Sequence, residues 1–328
     1  MRLEILSACP DFIRDFLTYN EIIKGKSSKS VEQYYSDLRT FFRYMLLVRG
    51  KAQPGIPFNK IDISGVDIEL VRSVTVSDLY GFMVYCKEEL RNNTATRARK
   101  TSTLRLFFKY MSVQTHRLDS NPADLLDAPK IKQSLPKYLS LEDSLELLNS
   151  VDGENERRDY CILTIFLNCG LRLSELCGLD LSDISSDGTM TVTGKGNKER
   201  MVYLNDSCKT AIKRYLEVRP HEGLTAESKN ALFISRNHKR ISPRTVEHIV
   251  TSYIKKAGLD GKGLSTHKLR HTAATLMYQH GHVDIRVLKD ILGHANLGTT
   301  QIYTHVSDEQ IKAAIDSNPL SSVRDKSK

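Results

Sequence analysis

Four stretches near the N-terminus carry apolar side chains at the three- and four-residue spacing of amphipathic helices. They cover residues 12–23, 31–45, 79–90 and 104–111. Residues 50–65 interrupt the pattern with glycine, proline and lysine, which is typical of a long surface loop. The pattern therefore predicts four N-terminal helices and a loop that stays outside their core.

The pattern changes after residues 128–137, a polar and basic stretch bounded by two prolines that is typical of a linker. Ser140 is a suitable cap for the helix that follows it. Residues 160–167 are apolar on most sides, which predicts a helix buried at the centre of a second domain. Residues 189–204 alternate around a Gly-Lys-Gly-Asn turn and predict a β-hairpin, and residues 232–234 are predicted as a third short strand.

The length of 328 residues is about twice that of a usual domain, so two compact units with separate cores are expected. We predict one domain at residues 1–131, a linker at 132–139 and a second domain at 140–328. The fold class is mainly α, with one small antiparallel sheet in the second domain.

The net charge of +9 favours a polyanionic partner such as nucleic acid. None of the six cysteines forms a C-x-x-C pair, and most lie in apolar helical patterns where a reduced thiol packs as a small hydrophobe. The longest apolar run is far shorter than a bilayer span. We therefore predict a cytoplasmic protein with no disulfide framework and no membrane segment.

Arg172 lies in a break between helices, directly after the apolar segment that ends at Gly170. An arginine in this position needs an anionic partner, and its planar fork fits two phosphate oxygens. The alternative is an internal salt bridge with Glu175, which could also hold the fork in place.

His267, Arg270 and His271 share one face of a predicted helix, close to its N-terminus. Uncapped N–H groups and the helix dipole add to these side chains, so an anion such as phosphate is the expected guest. Histidines four residues apart are also a metal-ligand spacing. A catalytic glutamate is missing between them, however, and an arginine there would repel a cation, so we predict no metal.

Three further residues complete the candidate chemistry. Lys195 lies in the hairpin turn, where it is either solvated or able to protonate a leaving oxygen. His294 follows Gly293, which is predicted to close a helix, so His294 could also be a simple helix cap. Tyr303 lies in a short polar stretch; its phenol becomes a nucleophile only where cations stabilise the phenolate.

This ordered set of Arg, Lys, His-x-x-Arg, Gly-His and Tyr resembles the active site of the tyrosine recombinases of the phage integrase family, and most closely that of the Xer-type members. The matching motifs lie at residues 169–176, 267–275, 292–294 and 301–306. The resemblance implies an N-terminal four-helix core-binding (SAM-like) domain and a mostly α-helical catalytic domain with a small three-stranded antiparallel sheet. A long segment at 48–74 and the alanine at position 273 depart from the family pattern.

The resemblance also implies the chemistry. Tyr303 would attack the scissile phosphate to give a 3′-phosphotyrosyl link and a free 5′-hydroxyl. The other roles implied are charge neutralisation by Arg172 and Arg270, a hydrogen bond from His294, general acid catalysis by Lys195 and proton transfer by His267. No cofactor is implied, because the covalent bond conserves the energy of the phosphodiester.

The partners implied are double-stranded DNA with inverted half-sites and further recombinase protomers, forming a homo- or hetero-tetramer through the C-terminal tail. An accessory protein or a DNA translocase is a further candidate partner. The biological role would be dimer resolution of chromosomes or plasmids, or integration and excision of a mobile element. Candidate contacts with DNA outside the centre are Arg97, Arg99, Lys100, Arg105, Arg240 and Arg244.

Two other functions use the same residues. A type IB topoisomerase performs the same transesterification but relaxes a single duplex. A catalytically idle DNA-binding regulator would keep the DNA clamp and lose the chemistry, which the complete set of six catalytic residues argues against.

Overall fold

The computed structural model describes residues 9–130, 137–194, 196–281 and 283–293. The chain divides into two compact units, Met1–Gln133 and Ser134–Lys328. Each described part has its own apolar core. The domain limits predicted from the sequence remain a proposal, although Leu139, the last residue of the predicted linker, is buried in the core of the second unit.

Among its described residues, the first unit contains the four predicted helices and one further short α-helix. In chain order they are α1 Asp11–Thr18, α2 Ser28–Val48, α3 Ile68–Arg72, α4 Val76–Glu88 and α5 Thr94–Lys109. Side-chain caps fix four of the five starts, and Asp67 and Asn93 cap α3 and α5. The Ser27 hydroxyl accepts from the Ser30 amide before α2, and Thr75 and Asp78 form a reciprocal capping box at the start of α4.

The prediction that residues 50–65 stay outside the core is wrong. Ile61 and Ile63 in this segment are 4% and 2% exposed. The Arg43 Nε atom donates to the Ile61 carbonyl oxygen at 2.7 Å and fastens the segment to α2. Glycine and proline set the turns of this stretch, but burial of the two isoleucines holds it against the helices.

The second unit is mostly helical, as predicted, and carries one two-stranded sheet among its described residues. Its elements are α6 Leu141–Asn149, α7 Glu156–Cys169, α8 Leu173–Gly178, β1 Thr189–Thr193, β2 Glu199–Tyr203, α9 Asp206–Leu216, α10 Pro243–Lys256, α11 Thr266–Gln279 and α12 Ile285–Leu292. Ser140 caps α6 as predicted, because its hydroxyl accepts from the Asp143 amide at 3.1 Å. Helix α7 is the predicted buried helix, and it packs against α9 and α11.

The hairpin forms as predicted, with Thr189 opposite Tyr203 and Thr193 opposite Glu199. Val192 and Val202 face the core, whereas Tyr203 is 80% exposed. The predicted third strand at 232–234 does not form a ladder. Only isolated bridges form here, between Ala231 and Asp180 and between Ile234 and Arg240. The guanidinium of Arg219 occupies the carbonyl oxygens of Ala231 and Leu232, which a further strand would otherwise use.

Glycine ends the two helices that border the site. Gly170 follows α7 with φ +60°, and Gly293 follows α12 with φ +63°. Left-handed backbone of this kind strains any residue with a Cβ atom, so both turns require glycine. No helix in the described ranges is long and apolar enough to cross a bilayer.

Candidate active site

Arg172 stands between α7 and α8, in the break that the sequence predicted. Glu175, at the third position of α8, accepts from the Arg172 backbone amide at 2.7 Å and closes the helix start. The same carboxylate pairs with Nη1 of Arg172, so the salt bridge weighed as an alternative does form. The Arg172 side chain remains 34% exposed, and its Nη2 atom donates to the Gly293 carbonyl oxygen at 3.2 Å. The salt bridge therefore orients the guanidinium and leaves part of it accessible to a ligand.

Arg270 lies on α11 and is buried. Its Nη1 donates to the Gly170 carbonyl oxygen at 2.7 Å, and its Nη2 donates to the Leu292 carbonyl oxygen at 2.6 Å. Both acceptors are at helix ends, where backbone carbonyls lack partners within the helix. Nη1 of Arg270 also lies 3.7 Å from Glu175. Arg270 thus joins the ends of α7 and α12, and both predicted arginines meet at the residues that precede His294.

Arg200 on β2 belongs to the same cluster, although the sequence did not point to it. Its Nη1 and Nη2 atoms donate to the two carboxylate oxygens of Glu175 at 3.0 Å each. Burial acts to raise the pKa of Glu175, but hydrogen bonds and charge from Arg200 and Arg172 outweigh it and lower this pKa to about 2. Glu175 is therefore ionised throughout the neutral range.

His267 is on the first turn of α11. Partial loss of water around its ring, followed by the positive charges of Arg270, Lys268 and Arg172, lowers its pKa. These effects favour a neutral imidazole, which can accept a proton. The His267 and His271 rings are in edge contact, with centroids 5.2 Å apart. Among the residues that the structure describes, no cluster of His, Cys, Asp or Glu is suited to hold a metal ion.

The structure brings three of the six predicted catalytic residues together: Arg172, His267 and Arg270. Lys195, His294 and Tyr303 lie outside the described residues, as does the C-terminal tail. Their chain neighbours Gly194 and Gly293 are described, and both border the Glu175 cluster. The assignment of all six residues remains a prediction.

The candidate DNA contacts in the first unit differ in their surroundings. Arg99 and Lys100 both pair with the buried carboxylate of Asp37, and the Lys100 side chain is only 7% exposed. Nη1 of Arg97 donates to the Asn92 carbonyl oxygen at 2.7 Å. Arg105 is exposed, and it lines a groove of about 620 Å³ together with Lys109. Arg105 is therefore the better placed of the four for a phosphate, whereas Lys100 is committed to Asp37.

The two candidates in the second unit also differ. Arg240 pairs with Asp180 and donates to the Gly178 and Leu179 carbonyl oxygens at 3.0 Å each, which caps the end of α8. Arg244 is exposed on the first turn of α10. Arg244 is the better placed of these two, because Arg240 already satisfies backbone acceptors.

The histidine pair predicts a pH effect on stability. Burial, followed by the nearby His267, Lys268 and Arg270, lowers the pKa of His271 to about 4. The unfolded chain binds this proton near pH ~6.5, so the free energy of unfolding should fall as the pH decreases from about 6.5 to about 4. Urea unfolding across this window measures the slope. His271→Gln should reduce the change in the free energy of unfolding with pH, whereas replacement of the exposed His248 by Gln should not.

An NMR titration that gives His271 a pKa of about 6.5 in the folded protein would contradict this expectation.

Comparison with known proteins identifies the family. Residues 137–310 match the phage integrase family. The Tyrosine recombinase XerC of Caldanaerobacter subterraneus subsp. tengcongensis is 49% identical over 95% of this chain and 88% of its own length. The Tyrosine recombinase XerC of Thermodesulfovibrio yellowstonii is 37% identical over 94% of this chain and 97% of its own length.

Solved structures share the fold. The XerH site-specific recombinase bound to a palindromic difH substrate matches with a TM-score of 0.69 at 22% identity, over 93% of this chain and 84% of that one. A lambda integrase dimer bound to a COC′ core site matches with a TM-score of 0.64 at 18% identity, over 88% of this chain and 76% of that one. Together with the sequence relatives, these findings show that the chain is a tyrosine recombinase of the phage integrase family, of the Xer type.

Proposed function

We propose that this enzyme is a site-specific DNA recombinase that cuts and rejoins strands through a 3′-phosphotyrosyl intermediate, with Tyr303 as the nucleophile. The observation that carries the proposal is the meeting of Arg172 and Arg270 at one helix end. Both guanidinium groups donate to the carbonyls of residues 292–293, directly before His294. Two fixed cations at one point are suited to a phosphate whose negative charge grows during the reaction.

The charge of the cluster supports phosphate binding. Three guanidinium groups, those of Arg172, Arg200 and Arg270, surround the single carboxylate of Glu175. The set keeps an excess of positive charge. Hydrogen bonds to the backbone orient the guanidinium groups of Arg172 and Arg270 before a phosphate binds. Preorganised charge of this kind stabilises a transition state without reorganisation during the reaction.

In the proposed reaction the phenol oxygen of Tyr303 forms a bond to the scissile phosphorus, and the bond from phosphorus to the 5′-oxygen breaks. The phenol proton passes to a base, for which the neutral imidazole of His267 is suited by its lowered pKa. Lys195 gives a proton to the leaving 5′-oxygen, and His294 donates a hydrogen bond to the phosphate. Attack by a 5′-hydroxyl on the phosphotyrosine then reverses these steps and reseals a strand.

The proposed partner is double-stranded DNA with inverted half-sites, on which four protomers pair two sites and exchange strands through a Holliday junction. The DNA-bound XerH and lambda integrase complexes support a DNA partner. Arg105 and Arg244 are the proposed phosphate contacts outside the centre, because both are exposed. Contacts to phosphate position a protein on DNA without reading its sequence.

The proposal is tested by strand exchange between two short linear duplexes that carry the same site. The sites are first recovered by cross-linking the protein to DNA in cells and sequencing the bound fragments. We expect recombinant duplexes that contain one strand segment from each parent, because exchange requires two paired sites. Relaxation of supercoiled DNA without any exchange between linear sites would instead favour the topoisomerase.

A further inference from the structure

Arg200 links three segments of the site: its own strand β2, the start of α8 and the end of α12. Its two terminal nitrogens hold both oxygens of Glu175 at 3.0 Å, and its Nε atom donates to the Ile291 carbonyl oxygen at 3.1 Å. The side chain is 14% exposed and the Glu175 side chain 1%. One guanidinium therefore ties β2 to the start of α8 and to the end of α12, through a fork geometry that lysine cannot reproduce.

Two glycines next to predicted catalytic residues lie against the Arg200–Glu175 ion pair. A Cβ atom on Gly194, which precedes Lys195, would lie 3.4 Å from Oε1 of Glu175 and 3.9 Å from Nη1 of Arg200. A Cβ atom on Gly293, which precedes His294, would lie 3.0 Å from Cδ of Arg200. The backbone at both glycines therefore lies against the ion pair, with the tighter approach at Gly293 and an ordinary van der Waals distance at Gly194.

We propose that Arg200 is a positioning residue for strand cleavage, which holds the Lys195 turn, the Arg172–Glu175 pair and the helix end before His294 in one arrangement. The inference rests on the proposed function of these residues. Arg200 acts through its neighbours and is not assigned a contact with the reacting atoms. Its effect should be strongest on proton transfer from Lys195, because Arg200 and the Lys195 turn belong to the same hairpin.

The loss of Arg200 has a definite physical consequence. Glu175 would remain buried and would keep Arg172 as its nearest cation, with Arg270 farther away at 3.7 Å. A buried carboxylate that loses a bidentate partner draws the remaining cation more tightly to itself. Arg172 would then be less available to a phosphate, and the Lys195 turn would lose the surface that supports Gly194.

The test compares two leaving groups. Arg200→Met is assayed for covalent adduct formation on nicked suicide substrates of one sequence, with either the ordinary 5′-oxygen or a 5′-bridging sulfur at the scissile bond. A thiolate leaves without protonation, so the sulfur substrate does not need Lys195. We expect Arg200→Met to slow cleavage of the oxygen substrate by about 10²-fold, within the range of general acid catalysis, and cleavage of the sulfur substrate by less than about tenfold.

The matched control is Arg219→Met, because Arg219 is also buried and donates to backbone carbonyls of the same unit, at Lys229, Ala231 and Leu232. This variant should lose stability and slow both substrates equally. Arg200→Lys keeps the charge but not the planar fork of the guanidinium. Its ratio of cleavage rates on the sulfur and oxygen substrates should therefore lie between those of the native enzyme and Arg200→Met. If Arg200→Met fails to fold, the substrate ratio of Arg200→Lys decides the question.

The pH profile gives a second readout. Removal of Arg200 takes away the main opposition to burial at Glu175, so the pKa of this carboxyl should rise well above about 2. Cleavage by Arg200→Met should then decrease at acidic pH values at which the native enzyme shows no decrease from this group. Arg219→Met should keep the native profile.

The inference would be overturned if Arg200→Met slowed cleavage of the oxygen and sulfur substrates equally. Native cleavage rates on both substrates would also overturn it. Failure of the proposed function would look different. In that case Tyr303→Phe would still form the adduct, while the ratio between the two substrates would remain measurable in the Arg200 variants.

Discussion

Tyr303→Phe should abolish the covalent protein–DNA adduct on nicked suicide substrates. The substitution removes the attacking oxygen and nothing else, and loss of a catalytic nucleophile lowers a rate on the order of 10⁶-fold in a well-studied hydrolase. DNA binding should remain near the native level, because binding depends on the arginines. Denaturing gel electrophoresis of the protein with end-labelled DNA measures the adduct, and a mobility-shift titration measures the binding.

Tyr253→Phe is the matched control. Burial and the carboxylates of Asp159 and Asp152 raise the pKa of Tyr253 to about 12, so its phenol is held protonated. Its hydroxyl donates to the Asp152 carbonyl oxygen at 2.9 Å. Tyr253 is thus surrounded by carboxylates, whereas a nucleophilic tyrosine needs nearby cations to stabilise its phenolate. Loss of the Tyr253 hydroxyl should leave adduct formation intact.

Peptide mapping makes the assignment of the nucleophile specific. Trypsin should release residues 290–312, in which Tyr303 is the only tyrosine. The native adduct should place the nucleotide mass on this peptide. A nucleotide on any other peptide, or an adduct in Tyr303→Phe, would transfer the role to a different residue.

The features that the sequence predicted correctly depend on short-range patterns. The periodicity of residues 31–45 and the alternation of residues 189–204 are set by neighbouring positions. Gly170 and Gly293 end helices because only glycine accepts their backbone conformation at low cost. Local physics of this kind can be read from one chain without knowledge of its partners.

The features that the sequence missed depend on contacts between distant positions. Arg200 pairs with a carboxylate 25 residues earlier, and in the sequence it resembles any solvated charge on an edge strand. The pairing of Arg99 and Lys100 with Asp37, more than 60 residues earlier, is likewise not visible in the sequence, and their contact with DNA stays a prediction. An arginine in a basic turn and an arginine in a buried ion pair look the same until the partner is located.

Arg270 carries the second large prediction. Arg270→Ala should slow cleavage by about 10³-fold, because a preorganised donor to the developing charge is lost. The same substitution should also lower stability by roughly 1–3 kcal/mol for each buried acceptor left without a partner. The acceptors are the carbonyl oxygens of Gly170 and Leu292. Single-turnover cleavage and urea unfolding measure the two effects separately.

Two further variants separate chemistry from stability. Arg270→Lys keeps a charge but can no longer bridge both helix ends, so stability should recover in part while cleavage stays low. Arg158→Ala removes a buried arginine that pairs with Asp159 and donates to the Ile234 carbonyl oxygen at 3.2 Å. It should destabilise the same unit and leave the cleavage rate of the folded protein unchanged. Near-native cleavage by Arg270→Lys would mean that charge alone suffices, and the fixed orientation of the guanidinium at the end of α12 would then have no catalytic role.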